Sequence, residues 1–186
     1  MPNEISICTI KCFFLPGRER VKIEKAWEQF VSGEKSASTV RSLTYQSWER
    51  SLKYGVHPLH GRAPIRLTED KIQEYQSLNP FYSTKESLLT RLKESAVHSG
   101  YLLTFCNPHG EILSIDGNPL LKEKAQEMNF IVGSSWSEQH IGTNGMGTSL
   151  AIGSPFKYLL VSIFVNQYII GSVQHHRLKT LQHRTF

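Results

Sequence analysis

The chain has 186 residues, of which 39% are apolar and 20% charged, enough for one domain of ordinary size with a helical extension. Its net charge of +5 belongs to the end of the chain: from Phe156 onward there are four basic and no acidic side chains, which leaves a nearly neutral body, unlike a nucleic-acid surface. No apolar run reaches the roughly 18 residues needed to cross a bilayer, the start MPNEISICTIKCFFLPGRER lacks signal-peptide order, and Cys8, Cys12 and Cys106 have no CxxC spacing, so the expectation is a cytoplasmic protein with no membrane partner and no disulfide scaffold.

From Arg18 to Val31, Val21, Ala26, Trp27, Phe30 and Val31 recur at helical spacing among charges, and Gly33 ends the pattern. A second amphipathic helix is predicted from about Thr39 to Tyr54, with Val40, Leu43, Tyr45, Trp48 and Leu52 as its apolar positions and Gly55 as its stop. Val56 to Leu67 holds two prolines and a glycine and reads as an extended connector. Thr68 with Glu69 and Asp70 starts another helix, which Asn79-Pro80 interrupts before a further stretch to about His98. The period then changes: Tyr101 to Cys106 and Glu111 to Asp116 read as two strands around the turn Asn107-Pro108-His109-Gly110, with Tyr101, Leu103 and Phe105 on one face and Leu102 and Thr104 on the other. Asn118-Pro119 opens a short helix through Met128, and a glycine-rich loop leads into a helix of small residues that ends at Gly153. This order of helices around a hairpin is α+β.

Three segments carry a family resemblance: SWERSLKYGV (Ser47 to Val56), HGRAPIRL (His60 to Leu67) and GSSWSEQHIGTNGMGTSLAIG (Gly133 to Gly153). Together, from about Arg18 to Pro155, they resemble the N-terminal region of acetoin- and glycerol-type sigma-54-dependent transcriptional activators, in which a helical arm with a SWxRS element precedes a GAF domain with WSExxxGTN. The resemblance implies a GAF-like antiparallel sheet with flanking helices, the hairpin forming its first two strands, and a small-molecule pocket between sheet and loops. It divides the chain into an arm and connector (1–67), a partial GAF-like sensor (68–155) and a tail (156–186). In such regulators an ATPase module and a helix-turn-helix follow the sensor, so DNA and sigma-54 polymerase are expected to be reached only through modules absent from this chain. GTNGMG is no substitute for a phosphate loop, because no lysine follows it.

The candidate effector-binding residues are Trp136, Glu138, His140, Thr143 and Asn144 in the loop, with Tyr101 and Phe105 on the first hairpin strand. Capping and loop hydrogen bonds account for Glu138 and Asn144 nearly as well, and Gly142, Gly145 and Gly147 serve either a ligand or close packing. No catalytic residue, metal or cofactor is expected: Cys106 ends an apolar strand, and the Cys8/Cys12 pair is too sparse a metal signature. Trp27 and Trp48 read as packing residues of the arm, through which a homodimer is expected. The alternatives are a small GAF-type enzyme such as a free methionine sulfoxide reductase, and a small basic DNA-binding protein using the tail.

The resemblance stops at Gly153-Ser154-Pro155. Joining the third base of each codon to the first two of the next, with that third base free, recasts the residues from Phe156 as a stretch containing EHF and W-x-C-S-A-x-P, as the resembled family has. The expectation is therefore a tail translated out of frame.

Overall fold

The computed structural model describes residues 5–11, 17–34, 40, 42–57, 61–78, 86–154 and 176–178. The tail apart from 176–178 lies outside the described residues, and so does Cys12 of the Cys8/Cys12 pair, so the expectations for both are left there.

Helices α1 (Gly17–Val31) and α2 (Ser42–Lys53) follow the apolar spacing closely. They close on each other through a core of their own: Ala26, Trp48 and Val56 are buried, with Ile23, Trp27, Phe30, Val40 and Tyr45 packed around them. The Trp48 ring lies 5.1 Å from that of Trp27 and 5.2 Å from that of Phe30 and is 1% exposed, so within one chain it already faces inward.

The connector is extended and tied along its length. Ala63 N–H donates to Met128 C=O at 3.0 Å, Ser135 N–H to Pro64 C=O at 2.9 Å, and Arg66 and Leu67 N–H both to Gly133 C=O. Gly133 is required here: its φ is +86°, and a Cβ would stand 2.8 Å from Leu67 C=O. Helix α3 (Glu69–Leu78) follows, then α4 (Glu86–His98).

Strands β2 (Tyr101–Cys106) and β3 (Ile112–Gly117) form the expected hairpin. Its turn is closed by Gly110 N–H to Asn107 C=O and by Asn107 Oδ1, which accepts from the His109 and Glu111 amides. The hairpin does not supply the first two strands. An earlier strand, β1 (Ile5–Lys11), pairs antiparallel with β2, and a short strand, β4 (His176–Leu178), pairs with the other edge of β1, giving the order β3-β2-β1-β4. The molecule is α+β, but its sheet begins inside the segment read as arm.

Alternation along β2 splits the core as expected. Leu103 and Phe105 pack with Leu113, Tyr101 and Ala96 of α4 on one side. Leu102, Cys106 and Ile112 face the other, under Ala125 of α5 (Pro119–Gln126) and the following Met128, Phe130 and Trp136. Asn118 caps α5 by accepting from the Leu120 and Leu121 amides. The chain ends this layer with a single turn, α6 (Glu138–Ile141), and α7 (Gly145–Ile152). Among the described residues no helix is long and apolar enough to cross a membrane.

Candidate functional site

The first two segments that carry the resemblance are close neighbours in sequence, and the third, which begins at Gly133, meets them in space. The connector runs beside Gly133 to Ser135, and α2 lies against α6. Where α2 and α6 meet, Glu138 is buried, its side chain 2% exposed, and its carboxylate is surrounded by donors. Arg50 approaches it with both arms of the guanidinium, Nε to Oε2 at 2.6 Å and an Nη to Oε1 at 2.9 Å. Thr148 Oγ1 donates to Oε1 at 2.7 Å, and Ser47 donates to the same oxygen. The Ser47 hydroxyl lies 2.8 Å from Thr143 Oγ1, Ser51 Oγ lies 3.2 Å from that atom, and Ser51 also donates to Ser47 C=O.

The pairing raises the Arg50 pKa through its hydrogen bond to Glu138, against the opposing effect of burial. Local geometry puts the donors in place. Ser47 and Ser51 are one helical turn apart, with Arg50 beside them, so a single face of α2 presents all three.

Asn144 organises the loop rather than the clasp. Its Nδ2 donates to Trp136 and Gly142 C=O at 2.9 Å each, and its Oδ1 accepts from Gly147 N–H, capping α7. Gly147 answers the question left open for the glycines: a Cβ there would stand 2.6 Å from Glu138 N and 2.7 Å from Trp136 C=O, so α7 approaches the Trp136–Glu138 backbone closely only because that position has no side chain.

The remaining candidates separate. Trp136 is edge-on to Phe130 at 4.7 Å in the layer above Leu102 and Cys106. Tyr101 and Phe105 are on the opposite face of the sheet, with Ala96. His140 sits beside the clasp, its Nδ1 2.8 Å from Ser135 Oγ and 3.0 Å from Ser137 Oγ. Burial, with Arg66 nearby, pushes its pKa below the ordinary range, against a smaller pull from Glu111. Thus Glu138 and Thr143 share one cluster, Asn144 shapes the loop next to it, and Tyr101 and Phe105 stand apart.

Sequence reasoning missed Ser47, Arg50, Ser51 and Thr148 as functional side chains. A signal was present: the SWERS turn places polar residues on the face that also buries Trp48, and a helix with hydroxyls and a guanidinium on its inner face needs a polar partner.

Among the described residues, three buried polar atoms outside the arm have no hydrogen-bond partner: Trp136 Nε1, Thr104 Oγ1, which shares the β2 face of Leu102 and Cys106, and Ser149 Oγ on α7. Trp48 Nε1 in the arm core is a fourth. Among the described residues no group of three or more His, Cys, Asp or Glu is placed to hold a metal.

No family model and no solved structure matches the chain. Curated relatives do. An uncharacterised 47.3 kDa protein of the thcA 5′ region of Rhodococcus erythropolis is 36% identical over 115 residues, 62% of this chain and 26% of that protein. The acetoin dehydrogenase operon transcriptional activator AcoR of Bacillus subtilis is 28% identical over 137 residues, 70% of this chain and 22% of the activator. The propane 2-monooxygenase operon transcriptional activator MimR of Mycolicibacterium smegmatis is 25% identical over 134 residues, 71% of this chain and 22% of the activator. The chain spans about a quarter of the length of these relatives. Over about 70% of its length, it is homologous to sigma-54-dependent transcriptional activators.

Proposed function

We propose that the chain is the ligand-sensing regulatory region of such an activator, a GAF-type sensor with its helical arm, working in the cytoplasm as a homodimer joined through the arm. It acts on DNA and sigma-54 polymerase through other modules of the activator, and its input is a small-molecule effector. The reading draws on the homology for the regulatory role and on one observation for the ligand: Trp136 Nε1 in the apolar layer, Thr104 Oγ1 on the β2 face of Leu102 and Cys106, and Ser149 Oγ of α7, whose neighbours Met146 and Leu150 pack in that layer, are buried without partners among the described residues. Buried groups of this kind are costly to leave unpaired, and a few of them within apolar walls are what a small, weakly polar molecule needs. The operons named for the relatives handle acetoin and propane, so small ketones, alcohols and diols are the natural probes.

Thermal unfolding of the chain with rising concentrations of acetoin, acetone, 2-propanol and 2,3-butanediol tests this. An effector present at about a hundred times its Kd adds about 2.7 kcal/mol, a shift of several degrees. The expected result is such a shift with one of the four, abolished in Thr104→Val and Trp136→Phe. Absence of any shift across the set, or a shift that both variants retain in full, sinks the assignment of this layer as the effector site.

A further inference from the structure

The arm and the sheet layers have separate apolar cores. Trp48, Ala26 and Val56 close one, and neither sheet-side cluster contains any residue of α1 or α2. What joins α2 to α6 and α7 is instead polar: one carboxylate, one guanidinium and four hydroxyls, nearly all buried. An interface whose cohesion is ionic and directional resists small displacements but has little non-directional attraction to hold it once the pair separates. The chain enters the arm from β1, which is paired in the sheet, and leaves it through the connector, which is tied to Gly133. The arm is therefore a helical hairpin tethered at both ends and fastened in the middle.

The fastening is also the place where arm and effector layer are one backbone apart. Trp136 belongs to the apolar layer, Glu138 to the clasp, and Asn144 binds Trp136 C=O while the adjacent Thr143 bonds to Ser47. A movement of Trp136 must pass through this loop.

We infer that the Arg50–Glu138 clasp is a releasable latch, which docks the α1–α2 hairpin on the sensor and lets it swing away as a folded unit when the Trp136–Asn144 loop shifts. The inference deepens the sensor reading, giving it an output. The latch itself can be tested without any effector, so failure of one is distinguishable from failure of the other.

Hydrogen exchange of the full chain reads it, comparing wild type with Arg50→Gln, Glu138→Gln and the double variant. Arg50→Gln leaves a buried carboxylate without its cation and releases the arm most. Glu138→Gln lets Arg50, 28% exposed, turn to water, and the double variant exchanges no faster than Arg50→Gln alone. The expected signature is exchange faster by about tenfold or more in the Ser42–Lys53 amides that normally open through undocking, with the β2 and β3 amides unchanged and the Trp27–Trp48 near-ultraviolet signal retained. Equal loss of protection in β2 and β3 would show a clasp that merely stabilises the whole fold, and unchanged exchange in α2 would show that the clasp does not hold the arm; either overturns the latch. Should Arg50→Gln fail to fold, Ser47→Ala, which removes one donor and leaves both charges paired, gives the same localised acceleration at smaller size. Its absence there counts equally against the proposal.

Discussion

Glu138 and His140 are two residues apart and sit in opposite electrostatic situations. Glu138 is buried and surrounded by donors, whereas His140 is half-buried between two serine hydroxyls with Arg66 nearby. The folded His140 pKa lies below its ordinary 6.5, so on acidification the unfolded chain takes up this proton first. Stability linked to His140 is therefore complete above the unfolded value and is lost as pH falls below it towards the lowered folded value. Urea midpoints measured between about pH 7.5 and pH 5.5 are expected to fall for the wild type and to fall less for His140→Gln, which keeps hydrogen-bonding capacity but does not titrate. Equal slopes for the two proteins would assign the acid sensitivity to other groups.

At the scale of elements, what could be read in advance was local. The stop at Gly55, the Asn118-Pro119 helix start and the Asn107–Gly110 turn each depend on a few adjacent residues, and each stands where it was expected. The two faces of β2 followed from alternation alone. Strand β1 was not read, because ISICTIK carries apolar residues at both odd and even positions and so has no single-face period to mark it. Its pairing with β2 joins residues almost a hundred positions apart, and the bonds that α2 makes across the clasp span 88 to 101 positions, separations at which neighbouring residues give no sign. Glu138 of the loop motif, for which ligand contact and loop hydrogen bonding both stand open in the sequence, is paired within the chain across that distance. The arm offers an element-scale prediction. Among the described residues Trp48 is the largest fully buried side chain, and it is the centre of the α1–α2 core, so Trp48→Ala is expected to cost about 3–5 kcal/mol on the arm's own unfolding, and Trp48→Phe much less. Denaturant-dependent hydrogen exchange of α1 and α2 measures this directly, and a cost below about 1 kcal/mol would mean that the aromatic cluster is not what closes the hairpin.

For the molecule as a whole, the inward packing of the arm bears on how two copies would join. Trp27 and Trp48, expected as packing residues of the arm, do pack on each other and on Phe30 inside one chain. A seam through the arm must then use its outer apolar residues: Val21 and Val31 of α1 and Leu43 and Leu52 of α2 are all exposed. Helices of 15 and 12 residues are about 22 and 18 Å long, enough for a standard interface of about 800 Å² per protomer only if much of their outer surface takes part. Such an interface is sensitive to charge at its centre, since a buried unpaired carboxylate costs several kcal/mol. Sedimentation of the chain is therefore expected to give a dimer that dissociates in Val21→Glu or Leu52→Glu, with the helical circular dichroism and the Trp27–Trp48 signal intact because neither residue lies in the arm's own core. A wild-type chain that stays monomeric at high concentration, or a dimer that survives both substitutions, would remove the arm as the joining surface and leave it free to swing against its own sensor alone.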